Sequence, residues 1–303
     1  MKIARKIGLW IGVMPVLTAL LFAGGCGKKE PIVFSLYCSS SHFPVAEKLT
    51  RTFRQAYGVT IICVPTDDAT HAAFDVPEET DPPKIKSRYE IQKETVFASE
   101  RVRKLKTWIE NAAYKNFGQY LLDNGGGDLY LCDSPDELQR LHDGKIVLKN
   151  RPLAYLTPVL LVHTDKGSFF SVEDVLQSSE TLGIVHRDVG GLGRETNRFL
   201  QTLRQNGSTL NNGKTAVYDN ETLLLQAFEE NQIVAAICWD STASRRFPDI
   251  VPITLPRMEV LAVPLTMCDL VSGSDYQIMD FFSIFLLSEK GQTLFKEFGY
   301  KVQ

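Results

Sequence analysis

The chain has 303 residues, a formal net charge of −3 at pH 7, 44% hydrophobic and 23% charged residues. These proportions are ordinary for a globular protein, and the negative net charge gives no support to nucleic-acid binding, which requires a clustered basic excess. The length reaches the size at which one hydrophobic core tends to split into two. We therefore expect a globular protein of two parts that binds no nucleic acid.

The N-terminal segment has the anatomy of an export signal. Lys2, Arg5 and Lys6 precede an uncharged run over residues 7–25, which ends in small residues directly before Cys26. A basic start, an apolar middle and small residues at the end are typical of a signal peptide. A cysteine at this point resembles a bacterial lipoprotein signal, in which the cysteine is lipidated. An ordinary signal peptide and an uncleaved anchor helix stay open, since the run nearly reaches bilayer length.

On the lipoprotein reading, residues 1–25 form the signal peptide and 26–31 the lipidated cysteine with a short tether. The rest of the chain then lies in the periplasm or on another extracytoplasmic face of a bacterial membrane, held there by the lipid on Cys26.

Five further cysteines are spread through the chain without a C-x-x-C pair: Cys38, Cys63, Cys132, Cys238 and Cys268. An odd number leaves at least one thiol unpaired. We expect small buried apolar side chains, because free cysteine is among the most buried residue types. A disulfide stays possible in an oxidising compartment, and no ligand spacing supports a metal site.

Beyond residue 31 the hydrophobic pattern predicts strands that alternate with helices, which is typical of an α/β protein. The predicted strands span 31–37, 59–64, 128–132, 156–163, 182–185, 233–239, 251–255 and 260–265. The predicted helices span 45–56, 135–142, 193–203, 221–231, 274–287 and 288–299, with a further helix start at Ser171.

One segment, the helical insert 66–124, interrupts this alternation. An acidic loop with prolines leads into a basic stretch whose apolar residues recur at helical spacing. We expect an amphipathic helix with a solvated charged face. The alternative is a docking surface for a partner or for anionic lipid.

Several stretches, in order along the chain, are similar to a known family. They are the strand–loop–helix entry from Val33 to Ser41, the strand Gly127–Asp133, the apolar run Leu153–Val162, the helix–strand pair ending at Ala243, and the Ser288–Gln292 motif before Gly299. Their order resembles the type II periplasmic solute-binding proteins of ABC transporters, especially the molybdate-binding branch. The resemblance covers most of the chain apart from the insert.

The resemblance implies a two-lobed α/β fold of mainly parallel sheets flanked by helices, with a ligand cleft between the lobes. Residues 32–155 plus 256–303 would form lobe 1, and 156–255 lobe 2. It also implies a binding protein that is not an enzyme, needs no cofactor, and delivers its solute to a transporter permease. No G-x-S-x-G or H-E-x-x-H motif is present.

The predicted ligand site begins in a loop of three serines, Ser39, Ser40 and Ser41. Hydroxyls and backbone N–H groups at a helix start can hold an oxyanion without lysine or arginine. Serines also cap helices routinely, so a purely structural role stays open. In the loop after the second strand, Thr66 could take the place of a further hydroxyl ligand.

The other predicted ligand residues lie in the second half of the chain. The glycine-rich loop 189–193 can bring backbone amides close to an anion, and the resemblance places a backbone contact at Leu192 and another at Glu221. Trp239 stands where the molybdate branch has a ligand-binding tyrosine.

These residues favour a small oxyanion such as molybdate or tungstate as the solute, with no resident metal. Ferric iron or another metal stays open as the cargo because of the acids Asp67, Asp68 and Asp240 and the histidines His42 and His71. Another anion or a small organic solute also stays open. A sensor or interaction protein on the same fold is a further alternative, because the insert 66–124 offers an additional surface.

Overall fold

The computed structural model describes residues 33–67, 117–124, 127–205, 215–256, 262–273 and 275–302. The predicted signal segment, Cys26 and the tether lie outside the described residues. So do most of the insert, including Asp68 and His71, and the predicted helix cap Ser274.

The first sheet has five strands in the order β2-β1-β3-β10-β4. Its strands are β1 (Val33–Cys38), β2 (Thr60–Pro65), β3 (Leu129–Cys132), β4 (Val147–Leu156) and β10 (Val263–Leu270). The helices associated with it are α1 (Phe43–Tyr57), α2 (Phe117–Asn124), α3 (Pro135–Asp143), α8 (Tyr276–Leu287) and α9 (Glu289–Glu297). We call this sheet with its helices the first lobe.

The second sheet also has five strands, in the order β7-β6-β8-β5-β9. Its strands are β5 (Pro158–Val162), β6 (Leu182–Val185), β7 (Thr215–Tyr218), β8 (Ala235–Trp239) and β9 (Ile253–Thr254). The helices around it are α4 (Val172–Gln177), α5 (Gly190–Gln205), α6 (Glu221–Glu229) and α7 (Asp240–Arg246). We call this unit the second lobe.

The expected two-lobed α/β fold is therefore present, but each sheet is mixed rather than mainly parallel. Strands β1, β2 and β3 run parallel, as do β6, β7 and β8. Strand β10 is antiparallel to β3 and β4, and β5 is antiparallel to β8 and β9. The antiparallel strands are those next to the points where the chain passes from one sheet to the other.

The chain passes from the first sheet to the second at Thr157, between β4 and β5. The Thr157 N–H donates to Asp240 Oδ1 at 3.0 Å, and Lys301 Nζ lies 2.8 Å from Asp240 Oδ2. Asp240 thus holds the chain at this crossing through these two contacts. The return passage lies between β9 and β10, and the exact lobe boundaries given above stay a prediction.

Helix boundaries follow local sequence where capping residues are present. Helix α1 ends before Gly58, which has φ +72° and whose N–H bonds the Arg54 carbonyl, as expected of a glycine cap. Ser288 accepts the N–H of Gly291 at the start of α9, as predicted. Helix α8 is capped by Asp275, which accepts the N–H groups of Gln277 and Ile278.

An aromatic cluster stabilises the first lobe. Phe53 is 0% exposed and packs against Phe282 and Phe285, with ring centroids 4.9 and 5.3 Å away. Phe281 and Tyr57 extend the cluster towards the surface. Burying such side chains provides about 1.5–3 kcal/mol each.

The five cysteines predicted to be buried are buried and free in the structure. None of the described helices combines the length and the apolar character needed to cross a bilayer.

Candidate functional site

A small pocket lies where the two lobes meet, with about 220 Å³ of empty space including that at its open mouth. Five of the seven predicted ligand residues line it: Ser39, Ser41, Leu192, Glu221 and Trp239. The remaining lining residues are Asp67, Asp133, Val185, Val189 and Gly190. Residues far apart in the sequence therefore meet at the carboxyl ends of the strands, where open α/β sheets bind ligands.

The three serines after β1 have three different environments. Ser39 Oγ is buried and has no hydrogen-bond partner among the described residues. The Ser41 hydroxyl interacts with the Glu221 carboxylate of the second lobe and lowers its pKa. Ser40 does not line the pocket, and its N–H and hydroxyl both donate to the Asp67 carboxylate, at 2.5 and 3.3 Å. Of the three, Ser39 offers the free hydroxyl.

Thr66 does not line the pocket either. Its N–H and its hydroxyl both donate to the Cys38 carbonyl, at 2.9 and 3.1 Å. The side chain of Asp67, one position further along the chain, faces the pocket instead. The hydroxyl of Thr66 therefore holds the ends of β1 and β2 together.

The glycine-rich segment forms the first turn of a helix and not a free loop. Helix α5 begins at Gly190, which has φ +56°. The N–H of Gly191 donates to Asp133 Oδ1 at 2.9 Å. A Cβ at Gly191 would lie 1.9 Å from the Asp133 carbonyl oxygen, so only glycine permits this close approach. The buried side chain of Leu192 then forms part of the pocket wall.

Asp133 is the most buried acid of the first lobe that faces the pocket, with 4% exposure. Its Oδ2 lies 3.3 Å from His42 Nε2, and His42 Nδ1 lies 2.9 Å from the Tyr300 hydroxyl. Burial raises the pKa of Asp133, but the hydrogen bond and charge of His42, the Gly191 N–H and the charge of Arg194 lower it more. The pKa of Asp133 therefore lies below the ordinary value, and the side chain is a carboxylate at neutral pH.

Glu221 stands at the start of helix α6, directly after the cap Asn220. It accepts the Trp239 N–H at 2.8 Å and the Thr242 hydroxyl at 3.1 Å. Burial raises its pKa above the ordinary value, although hydrogen bonds from Ser41, Trp239 and Thr242 oppose that shift. The side chain of Trp239 is 0% exposed and forms the adjacent wall.

Direct contacts join the lobes on both sides of the pocket. On one side Arg194 of α5 pairs with Glu137 of α3 at 2.8 Å, both largely buried, and Arg198 pairs with Asp136. On the other side the Thr222 hydroxyl donates to Ser40 Oγ at 3.2 Å. The Asn220 side-chain amide also donates to the Asp67 carbonyl, at 3.0 Å. The second lobe thus contacts the first through the first turns of α5 and α6.

The pocket is more acidic than the sequence predicted. The carboxylates of Asp67, Asp133 and Glu221 line it, and no lysine or arginine of the described residues does. Asp133 is the charged lining residue that sequence reasoning missed, and its only signal was an acid directly after a buried strand. No group of three or more metal-ligating side chains occurs among the described residues.

Comparisons with known structures show the same fold. The periplasmic molybdate-binding protein of Azotobacter vinelandii aligns with a TM-score of 0.57 and 10% identity, over 89% of this chain and 99% of that one. The sulfate-binding protein of Mycobacterium tuberculosis aligns with a TM-score of 0.59 and 12% identity, over 89% of this chain and 87% of that one. Iron-bound HitA from Pseudomonas aeruginosa aligns with a TM-score of 0.55 and 14% identity, over 88% of this chain and 84% of that one. At these identities the likeness shows the fold alone.

A search of curated protein sequences gave no match. A profile of the bacterial extracellular solute-binding proteins matches residues 93–301, which is more than half of the chain. The chain therefore belongs to the bacterial extracellular solute-binding protein family, and it is an extracytoplasmic solute-binding protein and not an enzyme.

Proposed function

We propose that this protein captures a small tetrahedral oxyanion, molybdate or tungstate, in the pocket between its lobes and delivers it to an ABC-transporter permease. Lipid on Cys26 holds it at the extracytoplasmic face of the membrane. Staying beside the membrane keeps the loaded receptor close to its permease.

The observation that carries this proposal is the buried Oγ of Ser39, which has no partner among the described residues and lines the pocket. A buried hydroxyl without a hydrogen bond costs about 1–3 kcal/mol, so a ligand that supplies the bond is favoured. Gly190 and Leu192 at the start of α5 also line the pocket, and the start of a helix favours an anion.

The type of ligand is also supported by relatives of the same fold. The neighbours include binding proteins whose names state molybdate, tungstate and sulfate. Proteins that hold such ions by hydroxyls and amides need no lysine or arginine, and none of the described part of the chain lines this pocket.

A specific observation favours a second candidate, a metal cation such as ferric iron. The carboxylates of Asp67, Asp133 and Glu221 line the pocket, and carboxylate oxygens are ligands for hard cations. These three are not grouped closely enough to hold an ion together in the present arrangement, so a cation would have to draw them closer. Iron-bound HitA shares the fold. The two candidates differ in charge and are therefore separable by one binding experiment.

The experiment uses the full-length chain purified in mild detergent. Thermal unfolding is followed with molybdate, tungstate, sulfate or ferric citrate, and bound metal is counted by mass spectrometry after equilibrium dialysis. At 100 times the dissociation constant, a ligand stabilises the folded state by about 2.7 kcal/mol, or roughly 5–10 °C. We expect one molybdate or tungstate per chain and a loss of binding in Ser39→Ala.

Thr293→Ala is a matched control, because it removes an exposed hydroxyl in α9 that only bonds the helix backbone. Binding of iron but of no oxyanion would replace the first candidate with the second. Binding of neither would contradict both substrate classes. The lipid anchor is tested separately. Cys26→Ser should release the protein from the membrane fraction, and a variant that stays in that fraction would contradict the proposal that lipid on Cys26 is the anchor.

A further inference from the structure

One carboxylate of the pocket occupies a group that suits a solute anion. Gly190 and Leu192 at the start of α5 line the pocket. The N–H of Gly191 between them already donates to Asp133 Oδ1 at 2.9 Å. An amide at a helix start, which suits an incoming oxyanion, is therefore already satisfied by one of the protein's own anions.

Asp133 is held firmly in this position. It is 4% exposed, His42 bonds its second oxygen, and Tyr300 bonds the other nitrogen of His42. His42 is 0% and Tyr300 6% exposed, so the whole chain of hydrogen bonds is buried. All three residues belong to the first lobe, whereas Gly191 belongs to the second.

We infer that Asp133 is a specificity-determining residue: its carboxylate acts as an internal anion on the α5 amide and opposes the binding of solute anions in proportion to their charge. The inference rests on the proposed function, because it concerns an oxyanion in the same pocket. An oxyanion at the Gly191 N–H has to share or displace the carboxylate, and like charges within a few ångströms in a buried site repel strongly.

Asp133→Asn removes this charge and keeps the shape, since the amide oxygen can still accept the Gly191 N–H. We expect tungstate to bind at least tenfold more tightly to Asp133→Asn than to the original chain. A purely structural role for Asp133 predicts the opposite sign, because damage to the pocket weakens binding.

Perrhenate is a sensitive second probe, because it is a tetrahedral oxyanion of similar size with one negative charge where tungstate has two. Charge repulsion scales with the charge of the ligand. The change in binding free energy should therefore be half as large for perrhenate. Its fold-increase in affinity should be close to the square root of the fold-increase for tungstate. A gain that is equal for both ions would point to shape and overturn the inference.

The matched control is Asp143→Asn. Asp143 is an acid of the same lobe whose exposed side chain accepts the Gln139 side-chain amide of its own helix at 2.9 Å and does not line the pocket. Removing an exposed charge in water has little effect, so the affinity for either ion should change less than twofold. If Asp133→Asn fails to fold by circular dichroism, Asp133→Ser takes its place with the same expected result.

Affinities are measured by isothermal titration calorimetry with the full-length chain in detergent. A larger gain for tungstate than for perrhenate, found only at position 133, supports the inference. Unchanged or weaker tungstate binding by the Asp133 variants overturns the inference. If the original chain binds tungstate in that case, the proposed function still stands. If no protein binds any oxyanion, both the proposed substrate class and this inference fail.

Discussion

Gly191→Ala should prevent the lobes from meeting without harming either lobe. The added Cβ would lie 1.9 Å from the Asp133 carbonyl oxygen and 2.7 Å from its carbon, where ordinary contact begins at 3.4 Å. Both of those atoms belong to the backbone of the first lobe. The start of α5 must therefore move away by about 1.5 Å.

The cost of that movement follows from the contacts it breaks. The bond from the Gly191 N–H to Asp133 would lengthen from 2.9 Å beyond hydrogen-bonding distance, and a bond to a charged group is worth about 1.5–3 kcal/mol. The buried pair of Arg194 and Glu137, now at 2.8 Å, would be stretched as well. A total penalty of about 2–4 kcal/mol on the closed arrangement weakens solute binding roughly 30- to 1000-fold.

The unfolding midpoint should fall only modestly, because the separated lobes keep their own cores and alanine is a better helix former than glycine by about 1 kcal/mol. Gly58→Ala is the matched control. A Cβ at Gly58 would have no neighbour within 4 Å, but its φ of +72° is unfavourable for alanine, at a cost of about 1–2 kcal/mol. Gly58→Ala should thus lose stability and keep affinity, whereas Gly191→Ala should lose affinity.

The assay combines calorimetry with a distance between spin labels introduced by Lys48→Cys and Gln201→Cys, both exposed positions on different lobes. We expect Gly191→Ala to lengthen the distance between the labels and Gly58→Ala to leave it unchanged. Unchanged distance and affinity in Gly191→Ala would refute the reasoning, because the overlap would then be absorbed inside one lobe.

Three further predictions concern stability and reactivity. Phe53→Ala should lower the free energy of unfolding by about 3–5 kcal/mol in a denaturant titration, because it empties a fully buried site among aromatic rings. Glu221→Gln should flatten the pH dependence of the unfolding midpoint: its raised pKa gives stability below about pH 4.5 that is lost as pH rises through the folded value. Burial raises the pKa of Cys63 to about 12, so the native protein should resist alkylation there, as read by mass spectrometry.

Each of these has its own control. Phe281→Ala, at a 41% exposed position in the same cluster, should cost well under half as much; equal costs would contradict the burial argument. Glu229→Gln should leave the Glu221 pH dependence in place, since Arg246 lowers the pKa of Glu229. Alkylation of Cys63 at equal rates in native and urea-unfolded protein would show that burial does not protect it.

The sequence alone determined most local structure of this protein, because the relevant interactions act over a few residues. Gly58 ends α1 by its left-handed backbone, Ser288 caps α9, and the apolar run 182–185 is β6 as predicted. Strands β4 and β7 were missed. Both lie at sheet edges. The first half of β4 is largely exposed and polar, and β7 has only four residues, so neither shows a clear alternation.

The tertiary structure decided which residues form the site. Ser40 and Thr66 resemble Ser39 in the sequence, yet their hydroxyls are taken up by Asp67 and Cys38, whereas that of Ser39 is left without a partner among the described residues. Asp133 reaches the pocket because Gly191, 58 positions away, packs against its backbone. Burial, and with it the charge of the pocket, depends on such contacts between lobes, which no local pattern encodes.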